Sequence, residues 1–149
     1  MRNWTRRVCA SALCILCLLA LFPVRAAAAG AIDTSRNVRL TIEYRHDGKP
    51  VASVPFELYY VASVDTYANF TLAGNFTACP VTLENLTAAE WTALAETLAA
   101  YAERDNLTPL DSGKTDASGS LTFPNETDRL APGLYLAVGK KHTAGGYTY

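Results

Sequence analysis

The residues of this chain that could do chemistry are few and widely spaced. Its two histidines, His46 and His142, lie far apart in sequence, and both fall in predicted turns. No zinc-ligand spacing, nucleophile elbow or glycine-rich phosphate loop occurs along the chain. A Ser-His-Asp or Cys-His site could be assembled from scattered residues, but no spacing singles one out. We therefore predict that the protein is not an enzyme and has no catalytic residue, cofactor or metal site.

Three aspartates fall in predicted loops, where their carboxylate oxygens could bind calcium. They are Asp111, Asp116 and Asp128. Calcium-binding loops place oxygen ligands at dense, alternating positions, and these aspartates lack that spacing. Aspartate also stabilises turns, because its side chain accepts hydrogen bonds from nearby backbone amides. The favoured interpretation is that all three are solvated turn formers.

Tyrosines could support a different chemistry, the binding of sugars. A tyrosine ring presents a flat apolar face with a polar tip. Alternation along the predicted strands favours core packing for Tyr60 and surface strand positions for the others. The candidates are Tyr59, Tyr60, Tyr67, Tyr147 and Tyr149.

Five Asn-x-Thr triplets could carry a modification. They begin at Asn69, Asn75, Asn85, Asn106 and Asn125. In a eukaryotic secreted protein such triplets are glycosylation acceptors on surface loops. In a bacterial protein they reflect only the preference of asparagine and threonine for turns. The sequence leaves both interpretations open.

The N-terminal segment has the pattern of a secretory signal peptide. It opens with three basic residues, Arg2, Arg6 and Arg7. Val8–Phe22 is uncharged and apolar, and small residues follow that suit cleavage near Ala27 or Ala29. The apolar run is shorter than the roughly 20 residues that a spanning helix needs. We predict that residues 1–29 are removed from a secreted, extracellular or wall-associated protein; an uncleaved anchor is the alternative.

Removing that segment changes the charge and the cysteine content. Four of the 13 basic residues leave and all 14 acidic residues stay, so the net charge becomes −5. That balance disfavours binding to nucleic acid or to an anionic membrane. Cys79 becomes the sole cysteine, so no internal disulfide can form. We interpret Cys79 as a small apolar filler, with an intermolecular bridge as the alternative.

The first half of the remaining chain has the pattern of β-strands. Asn37–Arg45 alternates apolar and polar residues, which predicts a half-buried strand. The Asp-Gly dipeptide within His46–Lys49 predicts a hairpin turn. Val51–Val64 predicts a second strand, whose start lies at an edge or is irregular because it contains prolines. Asp65–Val81 predicts short strands or a loop.

A helix follows at about residues 88–104. Thr87 and Glu90 form a capping-box pattern, which satisfies amides at a helix start. Apolar residues then recur at helical spacing, at Trp91, Leu94, Leu98 and Tyr101. We expect this stripe to pack on the sheet or to plug one end of it. A membrane or partner-helix role is disfavoured, since the polar face is acidic.

The rest of the chain returns to strands. Asp111–Ser120 is a predicted turn cluster, Ser120–Phe123 a short strand and Gly133–Gly139 a buried strand. Lys140–Gly146 is predicted to turn back, and Tyr147 to begin a final strand. No βαβ alternation occurs, so the predicted class is mainly β: a β-sandwich with one inserted helix. We expect residues 30–149 to form a single domain whose last strands lie beyond residue 149.

Three motifs in this order resemble the Cna B-type, or prealbumin-like, domain of Gram-positive surface proteins and pilin subunits. They are Gly48–Tyr59 (GKPVASVPFELY), Thr115–Phe123 (TDASGSLTF), and Gly133–Leu136 followed by Gly-Gly-Tyr147. The resemblance covers roughly Val38–Tyr149. It implies an Ig-like or prealbumin-like sandwich; the inserted helix is similar to a variant in clostridial-type pilin subunits.

The family's self-formed Lys–Asn isopeptide bond is not expected here. By the resemblance, Arg45 stands at the lysine position and Gly139 at the acid position. A guanidinium stays protonated and cannot act as the amine nucleophile. No sorting motif or receptive lysine for sortase is present, and Lys140 and Lys141 fit a solvated hairpin tip.

The leading functional hypothesis is a secreted, cell-surface structural subunit, pilin-like or a wall-anchored stalk module. Its partners would be other surface or pilin subunits. The alternative is an adhesin module that binds a host protein or glycan through its loops and inserted helix. An extracellular enzyme is a third and weaker hypothesis, because no catalytic constellation is present.

Overall fold

The computed structural model describes residues 31–144 and 147–148, whose secondary structure is mainly β. The predicted signal segment, with its cleavage near Ala27 or Ala29, lies outside these residues, as does Tyr149. In chain order the strands are β1 (Leu40–Glu43), β2 (Arg45–His46), β3 (Lys49–Pro50), β4 (Pro55–Val64), β5 (Phe70–Leu72), β6 (Asp111–Lys114), β7 (Ser120–Phe123), β8 (Gly133–Gly139), β9 (Thr143–Ala144) and β10 (Tyr147–Thr148). Helix α1 spans Ala88–Arg104, and a short 3₁₀ helix spans Gly74–Phe76.

Strand β4 organises the largest sheet. Along one edge it pairs antiparallel with β8, from Phe56 opposite Gly139 to Ser63 opposite Gly133. Along the other edge it pairs first with β6 and then with β5. The predicted irregular start is confirmed, because the strand begins at Pro55 rather than Val51. The edge alternative is wrong: β4 is central, and proline is tolerated as its first residue.

Two short hairpins and a separate ladder complete the strands. The predicted turn at Asp47 and Gly48 is confirmed, since both residues have positive φ and connect β2 to β3. Strand β1 pairs antiparallel with β7, and β9 pairs with β10. The predicted strand Asn37–Arg45 is divided, because Tyr44 separates β1 from β2.

A core cluster lies on each face of the β4 sheet, since successive side chains of a strand point to opposite faces. The cluster on one face, here called the ladder-side cluster, consists of Val51, Val54, Phe56, Leu58, Leu121, Phe123 and Leu130. It is supplemented by Leu40 and Ile42 of β1. The cluster on the other face, the helix-side cluster, consists of Tyr59, Val61, Ala62, Phe76, Cys79, Leu94, Leu98, Ala102 and Leu136. The sheet is therefore covered by the β1–β7 ladder on one face and by α1 on the other.

Helix α1 confirms the prediction over residues 88–104. Thr87 accepts a hydrogen bond from the Glu90 amide, and the Glu90 carboxylate accepts one from the Thr87 amide. Leu94 and Leu98 are buried against the sheet, while Trp91 and Tyr101 pack at the border of the helix-side cluster. The apolar stripe packs on the sheet face. Within the described residues, no helix has the length and apolar character needed to cross a bilayer.

Two predictions about the second half are wrong in part. Asp111–Lys114 is not a turn but strand β6, which pairs with Pro55–Leu58; the turn occupies only the residues between β6 and β7. Strand β8 is less buried than its sequence indicates, because Leu136 alone among its residues is buried. The cause is its position at one edge of the sheet.

Candidate ligand-binding cleft

The edge of β4 that faces β5 and β6 is interrupted. The ladder with β6 ends where Leu58 pairs with Asp111, and the ladder with β5 begins where Ala62 pairs with Leu72. The amide of Leu110 donates to the carbonyl of Leu58, and the amide of Ala73 donates to that of Val61. Between these two hydrogen bonds, neither β5 nor β6 pairs with Tyr59 and Tyr60.

A cleft of about 340 Å³ opens at this interruption. Its walls come from two chain segments that are distant in sequence. One wall is the 3₁₀ helix Gly74–Phe76, and the other is Thr108–Leu110, which leads into β6. Leu110 is 42% exposed, so an apolar side chain stands at the rim. The cleft therefore exists because β5 and β6 approach the same edge of β4 without meeting.

Tyr59 forms part of the floor and is fixed by polar contacts behind the cleft. Its hydroxyl donates to Oε2 of Glu57 over 2.5 Å, and Lys140 Nζ lies 2.7 Å from the same oxygen. The Tyr59 ring meets Phe76 edge to face, with ring centroids 6.3 Å apart. Burial, followed by the hydrogen bond to Glu57, raises the pKa of Tyr59 to about 12. The phenol is therefore neutral at physiological pH.

Tyr60 belongs to the other face of the sheet and is fixed in a similar way. Its hydroxyl donates to the carbonyl of Pro132 over 3.3 Å, and its ring lies 5.2 Å from that of Tyr135. The residues that line the cleft carry no formal charge. Asn75 and Thr108 are exposed polar side chains at its walls. This combination suits an uncharged ligand with apolar faces and hydroxyl or amide groups.

Of the tyrosines predicted as sugar-binding candidates, only Tyr59 and Tyr60 line this cleft among the described residues. The prediction of a surface position for Tyr59 is wrong, since its side chain is 5% exposed. Tyr60 is half-buried. Tyr67 is 83% exposed and lies outside the cleft. The side chain of Tyr147 and the whole of Tyr149 lie outside what the structure describes.

The three aspartates have different roles. Asp116 confirms the turn-former interpretation: it is exposed, and its Oδ1 accepts hydrogen bonds from the amides of Ser118 and Ser120. Asp128 is exposed in the loop between β7 and β8. For Asp111 the solvated interpretation is wrong, because this residue is only 3% exposed.

The two histidines lie in separate parts of the fold, and Oδ2 of Asp47 lies 3.6 Å from Nε2 of His46. His46 is exposed in β2, and His142 lies between β8 and β9. In the part of the chain that the structure describes, no group of three or more His, Cys, Asp or Glu side chains comes together as a possible metal site.

Arg45 and Gly139, which the sequence resemblance would place at isopeptide positions, lie in different parts of the fold. Arg45 is half exposed in β2, and its guanidinium lies 3.9 Å from the Glu43 carboxylate. Gly139 ends β8 opposite Phe56, and a Cβ there would lie 3.2 Å from the Phe56 ring. Lys140 is not a purely solvated lysine, since it pairs with Glu57, whereas Lys141 is exposed. The absence of an isopeptide bond stays a prediction.

Residues of the remaining sequence motifs lie where their interpretations require. The five asparagines of the Asn-x-Thr triplets are all exposed, and Asn75 lines the cleft. Exposure is compatible with either interpretation of these triplets. Cys79 is a buried free thiol at 5% exposure, which agrees with the apolar-filler interpretation. Burial raises the pKa of this thiol.

Sequence reasoning missed most of the cleft. Asn75 and Thr108 belong to Asn-x-Thr triplets, but no motif in Gly74–Phe76 or Thr108–Leu110 indicates a cleft, and only the topology brings these two segments to β4. It also missed the ion pair of Glu57 with Lys140. The alternation of β4 already places Glu57 and Tyr59 on one face, which is the only signal available.

No family model matches the chain, and no curated protein or solved structure matches it either.

Proposed function

We propose that the protein is a secreted structural subunit of the cell surface, pilin-like or a wall-anchored stalk module. Its domain would be an Ig-like or prealbumin-like β-sandwich of the Cna B type. The β1–β7 ladder over one face of the β4 sheet would then represent the second layer of the sandwich. Helix α1 on the opposite face would be the insertion that distinguishes this subunit. The N-terminal pattern supports secretion.

The observation that carries the proposal is the use of the buried polar groups. Within the described residues, every buried side-chain nitrogen or oxygen has a hydrogen-bond partner. Thr115, for example, donates to the carbonyl of Val51 and accepts from the amide of Val54, which fixes the approach to β4. These groups hold chain segments together, which is compatible with a structural module but is shared with other stable folds.

An immunoblot tests this proposal. Wall extract, culture supernatant and cytoplasmic fraction of the source cells would be boiled in SDS and probed with antibody to residues 30–149. A signal in the wall or supernatant supports a surface module, and a ladder of high-mass bands adds covalent polymerisation. A signal confined to the cytoplasm would overturn the proposal.

A second candidate function is a ligand-binding adhesin, and the cleft at Tyr59 and Tyr60 is the observation that favours it. Its uncharged lining and the exposed Asn75, Thr108 and Leu110 are compatible with a glycan or an uncharged peptide segment. The ligand would lie against the β4 segment of Tyr59 and Tyr60 at the bottom of the cleft, while Glu57 and Pro132 hold the two hydroxyls.

A glycan array probed with the wild type and two variants tests the adhesin function. Leu110→Asp adds a charge at the cleft rim, so binding at the cleft should be lost. Tyr67→Ala removes an exposed ring outside the cleft and is the matched control. Loss of binding in Tyr67→Ala alone would place the site elsewhere, and no binding by the wild type would count against a glycan ligand.

A further inference from the structure

Strand β8 has one free edge. Over Gly133–Gly139 it pairs with β4 on one side. On its other side, no strand in the described ranges 31–144 and 147–148 pairs with it. Helix α1 contacts β8 from the face of the sheet, where Leu136 packs with Leu94 and Leu98 in the helix-side cluster. A row of backbone amide and carbonyl groups is therefore presented along the rim of the sheet.

The register shows which groups point outward. The amide of Lys140 donates to the carbonyl of Pro55, so the backbone groups of Lys140 face β4. Along an antiparallel strand, the amide and carbonyl groups of successive residues point alternately toward one edge and the other. The outward groups therefore belong to Gly139, Ala137 and Tyr135. The hydrogen bonding of Leu58, which pairs with Ala137, is consistent with this assignment. The Leu58 carbonyl accepts from the amide of Leu110 on the opposite edge of β4, so it points away from β8.

The sequence of β8 does not protect this edge. Gly133–Gly139 reads GLYLAVG and contains no charged residue and no proline. Natural proteins usually protect an exposed strand edge with lysine, proline, a bulge or a covering segment. The nearest charge is Lys140, and its ammonium is held 2.7 Å from Glu57 of the neighbouring strand β4. An uncharged edge of seven residues is a template for pairing with another strand.

We propose that a second copy of this chain pairs with β8, antiparallel and about a two-fold axis at Leu136. In this register Gly133 faces the partner's Gly139, Leu134 faces the partner's Val138, and Tyr135 faces the partner's Ala137. The outward groups of Tyr135 and Ala137 then bond to each other across the axis, and the two β4 sheets become one continuous sheet.

The self-complementarity of the strand favours a second copy over an unrelated strand. Reading β8 in either direction places glycine against glycine, a branched aliphatic residue against another, and tyrosine against alanine. Directly opposite side chains of antiparallel strands lie close enough to pack against each other, so Leu134 and the partner's Val138 would form an apolar contact on each side of the axis. No like charges meet within the paired segment. The pairing is argued from the edge and the sequence of β8 and not from the proposed surface function, and the last strands expected beyond residue 149 are the competing occupant of this edge.

Light scattering coupled to size-exclusion chromatography tests this pairing on the purified full chain. The wild type should approach twice the monomer mass as its concentration rises. Ala137→Pro removes an outward amide that β4 does not use, and Ala137→Lys places a charge on the edge; each should weaken association by about tenfold or more. Thr71→Lys is the matched control. It adds the same charge at an exposed position of β5, which pairs with the opposite edge of β4, so this variant should dimerise like the wild type.

Circular dichroism shows whether the variants fold. If Ala137→Pro does not fold, the folded Ala137→Lys variant still tests the pairing. A wild type that stays monomeric at all concentrations would overturn the pairing and leave the edge to a different strand. So would dimers of unchanged affinity in a folded Ala137→Lys.

Disulfide trapping tests the register. Mixed under oxidising conditions, Tyr135→Cys and Ala137→Cys proteins should cross-link to each other faster than either does to itself, because paired residues have Cα atoms close enough for a disulfide. Cys79 is buried and is present in both proteins as an internal control. Equal cross-linking in all mixtures would overturn the register at Leu136.

Discussion

The Asp111 carboxylate accepts a 2.8 Å hydrogen bond from the backbone amide of Asn125, fourteen residues later in the chain. The amides of Ser112 and Glu126 donate to the same carboxylate, at 2.7 and 2.9 Å, and Thr127 adds a longer bond. Asp111 is the residue of β6 that pairs with Leu58, so the loop after β7 is tied directly to the central sheet. A single buried carboxylate thus fixes two segments that share no local motif.

Asp111→Asn should destabilise the fold by about 2–3 kcal/mol, because an amide NH₂ then faces backbone donors that need an acceptor. Burial raises the pKa of Asp111, but the backbone hydrogen bonds together outweigh burial and hold this pKa below its usual value. The carboxylate therefore contributes stability above the unfolded-state pKa of about 4, and this contribution is lost as pH falls through the lower folded-state value.

Urea unfolding of the wild type and Asp111→Asn at several pH values checks this. The difference in unfolding free energy should be largest near neutral pH and should shrink in acid. Asp116→Asn is the matched control, since Asp116 is exposed and bonds only within its own turn. An acid-independent difference for Asp111→Asn would contradict the assignment.

Gly119→Ala should cost about 3 kcal/mol of stability, since two effects combine at this position. Gly119 has φ of +76°, and an added Cβ would lie 2.5 Å from the carbonyl oxygen of Tyr44. Gly74→Ala is a matched control with φ of +55° and no atom within 4 Å of the new Cβ. Its cost should be about 1 kcal/mol, from backbone conformation alone. Thermal unfolding measures both, and equal losses would contradict the close approach to Tyr44.

Glu57→Gln should lower the pKa of Tyr59 from about 12, but not to the ordinary value of 10.0. Burial is the larger cause of the raised pKa and remains in the variant, while the carboxylate that favours the neutral phenol is removed. A raised folded-state pKa stabilises the protein below pH 10, and this stability is lost as pH rises toward 12. Tyrosinate absorbance during alkaline titration gives the pKa, with Tyr59→Phe identifying the signal. The pKa of Tyr135, which burial also raises to about 12, should not change.

Thr87→Ala should destabilise the protein by about 1 kcal/mol through loss of the N-cap. Thr87 accepts from the Glu90 amide, and its hydroxyl also lies 2.7 Å from the Glu90 carboxylate. Thr92→Ala, in the exposed interior of the same helix, replaces threonine by a better helix former and should not destabilise. Denaturant unfolding compares the two, and a loss in Thr92→Ala as large as that in Thr87→Ala would contradict the capping role.

Features that depend on neighbouring residues were predictable from sequence. Helix α1 was predictable to its limits, because the capping box and the apolar spacing both act within a few residues. The Asp-Gly hairpin turn and the start of β7 follow from local turn chemistry in the same way. The mainly β class was predictable from the alternation of apolar and polar residues alone.

Features set by distant residues were decided only by the tertiary structure. Asp-Ser-Gly-Lys is a poor strand sequence, yet it forms β6, because β4 supplies a ladder and Asn125, Glu126 and Thr127 supply donors for Asp111. Tyr59 is buried because Phe76 and Glu57 meet it there. Which strand is central, which edge is free and where a cleft opens depend on pairings between remote segments. Local propensity carries no information about such pairings.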